Sequence, residues 1–463
     1  MRPDPRDRRY RIVPAAFDLA ALHAAHPARY PHLLESVAHG GPQARYDILF
    51  AFPERSLVRE ANGTLRWDGE LVSDDTFLDR WAVLWREQAR DASLEPSELP
   101  FRGGWFVFLA YELAAEIEPK LGVLRGDPSL PLAIATRFPA AIIRDHVHGE
   151  TWLVREAAAP DALMEQMQAD IDALTAVADV DVDVDVALAQ AHEEAPERYL
   201  AHVERIKQYI AAGDVFQVNL ARAWDMRLQD AVEPVQLYRR LRRANPAPFA
   251  CLATWPDRRA IISSSPERLA EVRGGRVRTR PIAGTYPRSS DAAEDARWSR
   301  ELLAHPKERA EHVMLIDLER NDLGRVCRPG SVRVSELMTL ESYRHVHHIV
   351  SEVSGELRPG ITPMDLIRAV FPGGTITGCP KVRCMEIIRE LEARPRGAYT
   401  GSIGYVNHDG SMDLNILIRT LVQNGDRLSL HAGAGIVADS IAERELAETR
   451  AKAKGLLTAL GLA

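Results

Sequence analysis

The sequence predicts an α+β protein, on three observations. Short apolar runs at Tyr46–Phe52, Trp105–Tyr111 and Ala140–Arg144, set between glycines and prolines, read as strands. Helical periodicity runs from Asp75 to Ala92 and from Asp161 to Thr175. The two kinds of segment do not alternate as the regular strand-helix-strand units of a doubly wound fold.

A chain of 463 residues allows up to three domains at about 150 residues each. Its 46% hydrophobic and 27% charged residues exclude collagen-like, coiled-coil and wholly disordered classes. The balance of 58 basic against 66 acidic residues gives −8, which argues against a polyanion-binding surface, so no nucleic-acid partner is expected. Cys251, Cys327, Cys379 and Cys384 form no CxxC pair, so neither a disulfide framework nor a zinc cluster is expected. The Arg-, Asp- and Pro-rich N-terminus has no apolar signal core, and no apolar run reaches membrane-spanning length. A cytoplasmic protein with no membrane partner is the expectation. Asn62-Gly63-Thr64 fits a glycosylation sequon but reads better as an Asn-Gly turn between strands.

The alternating tract Asp179–Val186 invites a calcium reading, yet it lacks the glycine and the terminal glutamate of a calcium loop. It reads as a solvated linker or an edge strand. It divides the chain into an N-terminal region (1–178), a linker (179–190) and a C-terminal region (191–463).

The C-terminal region carries the chemistry. Glu308 and Glu311 lie three apart in a helix-compatible run, as do Glu445 and Glu448, with Lys452 four residues further on. Each pair alone reads as an ordinary charged helix face. Together they suit a hard divalent cation such as Mg²⁺, which takes oxygen ligands and keeps several waters. Ala432-Gly433-Ala434-Gly435 and Phe371–Gly378 bring backbone amides where an anion could approach. Neither has the context of a dinucleotide or P-loop fingerprint, and by themselves both read as turns.

Five runs in order complete the pattern: Arg280–Thr285, Asp317–Asp322, His347–Ser351, Thr377–Lys381 and Ala432–Gly435. They resemble the chorismate-utilising enzymes, the family that includes component I of anthranilate synthase and of aminodeoxychorismate synthase. The strongest match spans about residues 197 to 455. The resemblance implies large antiparallel sheets packed as a sandwich with flanking helices. It implies chorismate as substrate, Mg²⁺ as cofactor, and Glu308, Glu311, Glu445 and Glu448 as the acids that hold the ion. Arg419 and Tyr399 correspond to the pair on the enolpyruvyl carboxylate, a task suited to a guanidinium fork. Gly284, Thr285, Gly433, Gly435 and Lys452 match further substrate contacts, and His348 and Thr375 match catalytic positions.

Gln217 stands where water-using relatives carry a lysine base. An amide cannot serve as that base, so ammonia, already nucleophilic, is the expected reactant; the other reading is that Gln217 satisfies a loop backbone. No cysteine sits in a glycine-flanked nucleophile elbow, so the ammonia is expected from a separate glutamine amidotransferase subunit. Short N-terminal features such as Tyr46–Leu49 favour aminodeoxychorismate synthase, which makes 4-amino-4-deoxychorismate for p-aminobenzoate and folate. Ala283, where that group has a nucleophilic lysine, and Thr375 favour anthranilate synthase, which releases pyruvate. A non-catalytic chorismate- or tryptophan-binding homologue is the third reading. Leu33-Leu34-Glu35-Ser36 and Asn245-Pro246-Ala247-Pro248-Phe249 resemble two segments that form a tryptophan pocket in relatives; the other reading is a helix start and a Pro-rich turn.

Overall fold

The computed structural model describes residues 7–13, 17–38, 44–72, 75–89, 97–175, 185–289, 291–342 and 346–462. The expected segments take the expected forms. Strands run Tyr46–Ala51, Gly104–Leu109 and Ala140–Asp145, and helices Phe77–Ala89 and Asp161–Thr175. Gly63, at φ +87°, closes the turn that joins the paired strands Ser56–Arg59 and Leu65–Trp67, as an Asn-Gly hairpin requires. Of the alternating tract, 179–184 lies outside the described residues; Asp185 and Val186 are irregular and lead into an edge strand, Leu188–Glu193.

Among the described residues two antiparallel sheets of 12 strands each form the body. In the first, N-terminal strands join the C-terminal region where His32–Glu35 pairs with Phe249–Trp255. In the second they join where Gly104–Leu109 pairs with Ser402–Asn407. The compositional boundary at 179–190 therefore divides the chain but neither sheet. The run Leu33–Ser36, which also reads as a helix start, is the end of a strand.

Period-2 alternation explains why these strands look almost wholly apolar. Ile48 and Phe50 face the second sheet, where Phe106 and Phe108 meet them, while Leu49 and Ala51 face the helices on the outer side. Trp105, Val107 and Leu109 likewise face outward, toward Phe77–Ala89 and Pro363–Val370. Each buried aromatic contributes about 1.5–3 kcal/mol relative to exposure. Met164, Met167 and Ile171, at helical spacing, and Leu456 on Ala442–Ala459 cap the first sheet. The result is helix, sheet, sheet, helix. No described helix is long and apolar enough to cross a membrane.

Candidate active site

The site begins on the strand Gln217–Leu228, which pairs with Arg427–Ile436 so that Asn219 opposes Gly435 and Ala221 opposes Gly433. Gln217 and Asn219 share one face, while Val218 and Leu220 point into a hydrophobic cluster. The segment Gly433–Gly435, which alone reads as a turn, is regular strand. Its glycines serve side-chain approach: a Cβ on Gly433 would stand 2.8 Å from Tyr399 Oη and 2.9 Å from Asn219 Oδ1. A Cβ on Gly435 would collide with Gln217 Nε2 and lie 3.3 Å from Glu311 Oε1.

Helix Pro306–Gly324 opens with proline in its first turn and Glu308 close behind, both favourable at a helix N-terminus. It reaches both sheets. Gln217 Nε2 donates to Glu311 Oε1 at 2.8 Å, on the first sheet. On the second, Gly284 has φ +65°, and a Cβ there would stand 2.9 Å from Glu308 Oε2. On Ala442–Ala459, Glu445 is buried and Glu448 exposed; Lys452 Nζ lies 2.6 Å from Glu448 Oε1 and donates to Gly433 O at 3.0 Å. The two acids face the helix Pro196–Ala211, where their charge, after burial, holds the Tyr199 phenol well above its ordinary pKa. Among the described residues no three His, Cys, Asp or Glu side chains converge as a metal cluster.

Across from these acids stand the cations. Arg419 has φ +53° and Thr400 φ +62°, left-handed conformations that cost a non-glycine residue about 1–3 kcal/mol and are held by the surrounding sheet. Burial lowers the Arg419 pKa, while Tyr399, Glu267 and Glu448 pull it back up. Burial pushes the Tyr399 phenol up to about 12; its ring stacks on His431 with centroids 5.6 Å apart. His348 is buried, and burial, followed by the charge of Arg419, pushes its pKa down to about 4, so its ring is neutral. Its Nδ1 lies 3.4 Å from Gly284 O. Of Thr285 the backbone is described, paired opposite His348.

One acid was not singled out from the sequence. Glu267 follows the strand Arg259–Ser265 and is buried; burial pushes its carboxyl up to about 7 against the lowering pull of Thr375, Arg419 and Lys452. Two buried atoms here, Gln217 Oε1 and Asn219 Oδ1, have no hydrogen-bond partner among the described residues. Orphaned buried polar atoms are rare, and a pair of them beside cations marks a place built for a ligand. In sequence, Glu267 shows only as an acid after a serine run, a signal too weak to separate it from a turn.

Residues 47–458 match the family described as chorismate binding enzyme. The chain belongs to that family. Among relatives, it is 44% identical to aminodeoxychorismate synthase component 1 of Bacillus subtilis, over 94% of this chain and 93% of that one. It is also 44% identical to an anthranilate synthase component I-like protein of Synechocystis, over 79% and 74% of the two chains. The crystal structure of anthranilate synthase component I from Streptococcus pneumoniae superposes with a TM-score of 0.79 at 34% identity, covering 90% of this chain and 93% of that one. As a chorismate-binding enzyme the chain takes chorismate as its substrate.

A cavity of about 370 Å³ lies between the sheets, and none of these residues lines it. Glu35 and Ser36 line it, together with Pro248 and Phe249. Burial, then the nearby Asp47, pushes the Glu35 carboxyl up to about 7, and Tyr238 Oη donates to it. Asn245 and Pro246 are not on its wall; the Asn245 amide donates to Ser264 Oγ at 2.8 Å. The two segments thus approach one cavity, but through residues 248 and 249 and not 245 and 246.

Proposed function

We propose that this chain is component I of an aminodeoxychorismate synthase, which aminates chorismate with ammonia from a separate glutamine amidotransferase subunit to give 4-amino-4-deoxychorismate. The observation that carries this reading is the Gln217 amide. It donates to Glu311 and offers no base, so a nucleophile that needs no deprotonation fits the pocket. The near full-length likeness to the Bacillus subtilis enzyme of that name supports the choice of product.

Chorismate brings two carboxylates and a 4-hydroxyl that must leave. The Arg419 fork and the Tyr399 hydroxyl would hold the enolpyruvyl carboxylate, with Lys452 adding charge and the bare backbone at Gly284, Gly433 and Gly435 letting Glu308, Tyr399, Asn219 and Gln217 close in around the site. Thr285 would add a contact from the neighbouring strand. Glu308, Glu311, Glu445 and Glu448 would hold Mg²⁺. With no three-residue cluster among the described side chains, they suit an ion completed by water and the substrate, the usual habit of Mg²⁺. Bound there, the ion would neutralise and orient the ring carboxylate.

Glu267, protonated near neutrality, would give its proton to the departing hydroxyl, which leaves as water. Thr375 would orient that carboxyl, and neutral His348 would line the ring pocket. The ammonium formed on carbon then returns one proton to solvent. Ala283, buried on its strand, offers no nucleophile, so no covalent enzyme intermediate forms at that position.

Product analysis by mass spectrometry with chorismate, Mg²⁺ and ammonium tests the reading. The expected product is 4-amino-4-deoxychorismate, converted to p-aminobenzoate only when a lyase is added. Fluorescent anthranilate with stoichiometric pyruvate would overturn it in favour of anthranilate synthase. The cavity at Glu35 and Ser36 is the place where tryptophan would bind; calorimetric titration with tryptophan reads this, and no heat at millimolar ligand would reject it.

A further inference from the structure

Arg396 is buried beside Tyr399, and each of its five N–H donors meets an acceptor. Nε donates to Glu392 Oε2 at 2.8 Å and Nη2 to Glu392 Oε1 at 2.6 Å, a two-armed ion pair. Nη2 also donates to Asn219 O at 2.8 Å, while Nη1 donates to Ile376 O at 2.9 Å and to Thr400 Oγ1 at 3.3 Å. Glu392 Oε1 in turn accepts from the Ala221 amide at 2.9 Å. No Arg396 donor is left over for a substrate.

These contacts join three parts of the site that lie far apart in the chain. Asn219 and Ala221 belong to the strand that carries Gln217, and Ile376 ends the turn Gly374–Ile376 that carries Thr375. The third part is the segment of Tyr399 and Thr400. The Arg396 guanidinium lies over the Tyr399 ring, 5.7 Å from its centroid, and over the Tyr111 ring at 4.8 Å. Thr400 Oγ1 donates to Tyr399 O at 2.5 Å. The Thr400 amide donates to Leu417 O at 2.7 Å, and the Leu417 amide to Gly401 O at 2.8 Å, two residues before Arg419. One guanidinium, anchored on a strand and a turn, thus supports the segment that presents Tyr399.

Resting on the reading of Tyr399 and Arg419 as the clamp on the enolpyruvyl carboxylate, we propose that Arg396, held by Glu392, is the positioning residue that sets the Tyr399 hydroxyl at the place of that carboxylate. It touches neither substrate nor reacting atoms and acts through Tyr399. The task needs the planar fork. Lysine brings three donors and cannot span Glu392, Asn219, Ile376 and Thr400 together. It keeps the charge, however, so Arg396→Lys loosens the support without leaving Glu392 as an uncompensated buried carboxylate. Amination leaves the enolpyruvyl carboxylate unchanged, so a clamp on it acts alike in the ground and transition states. Loosening it therefore raises KM and spares kcat.

A double-mutant cycle in the full chain tests this, with Arg396→Lys, Tyr399→Phe and the double variant assayed with Mg²⁺ and ammonium. The readout is loss of chorismate, which does not depend on which aminated product forms. Tyr399→Phe keeps the ring and removes the hydroxyl. Each single variant is expected to raise KM for chorismate about tenfold, the lower end for a hydrogen bond to a charged group, with kcat within about threefold of the parent. The double variant is expected to match Tyr399→Phe alone, because a misplaced hydroxyl cannot be lost twice. Two increases that multiply to about 100-fold would overturn the positioning role. So would an Arg396→Lys variant with the parent KM and only a lower melting temperature by circular dichroism, since the ion pair would then serve stability alone. An unchanged KM in Tyr399→Phe would reject the clamp itself and the positioning with it, whereas a raised KM there beside a multiplying or absent effect of Arg396→Lys rejects the positioning alone. If Arg396→Lys does not fold, Glu392→Gln, which weakens one arm of the pair, is read in its place. A smaller rise in KM that disappears beside Tyr399→Phe supports the proposal, and an unmoved or multiplying KM overturns it.

Discussion

Gln217 and Glu311 meet across the bare backbone of Gly435, the amide nitrogen 2.8 Å from the carboxylate oxygen. The contact ties the first sheet to the helix whose previous turn, at Glu308, lies against Gly284 of the second. A methyl group at residue 435 would occupy the place of the Gln217 amide. Gly435→Ala is therefore expected to lower kcat with ammonium by at least about tenfold, through misplacement of the reacting groups. The strand is expected to persist, because alanine suits an extended backbone. Steady-state rates beside a circular dichroism melt check both halves.

The carboxylates are tested by charge removal. Glu311→Gln and Glu448→Gln keep side-chain shape and lose the negative oxygen that a hard cation prefers. Each is expected to abolish most turnover and to raise the Mg²⁺ concentration needed for half-maximal rate. Near-normal rates in both variants at limiting Mg²⁺ would remove these residues from the ion's shell.

Arg419→Lys keeps the charge and loses the planar fork. A hydrogen bond to a charged group is worth about 1.5–3 kcal/mol, so kcat/KM for chorismate is expected to fall roughly 10- to 100-fold. An unchanged value would make Arg419 a purely structural residue in its left-handed position.

Stability should depend on pH in a direction set by burial. Glu35, Glu112, Glu267 and Glu319 are each pushed up from 4.5 to about 7 by burial. Above 4.5 the folded chain holds these protons more tightly than the unfolded one, so their contribution is lost as pH rises through about 7. Buried His32, His348 and His431, pushed down from 6.5, act oppositely and mostly below pH 6.5, where the unfolded chain protonates them. Between pH 6.5 and 8 the carboxyls dominate: each is expected to lower stability by about 1 kcal/mol, against roughly 0.4 kcal/mol regained for each histidine, so a net fall is expected. Urea midpoints at the two pH values measure this. Glu112→Gln, whose parent carboxylate accepts from the Arg396 and Gly397 amides, should shrink the fall by about 1 kcal/mol.

The sequence by itself determined the local structure and the family. Apolar runs bounded by glycine and proline are strands, the 3.6-residue periods are helices, and Asn62-Gly63 is a hairpin turn, because each depends on neighbours a few residues away. Five motifs in order were enough to indicate the family. Only the tertiary structure decided what meets what. The pairing of Glu35 with Ala250, and of Gly104 with Asn407, merges the N-terminal region into both sheets across hundreds of residues, and no periodicity encodes that register. It likewise set Glu311 against Gln217, made Gly433 and Gly435 a strand, and turned Asn245 away from the cavity that Glu35 lines. Glu267 and Glu319 were hidden for the same reason. A carboxyl becomes a neutral-pH acid through the low-dielectric surroundings that folding assembles around it, and those surroundings come from strands and helices far apart in the chain.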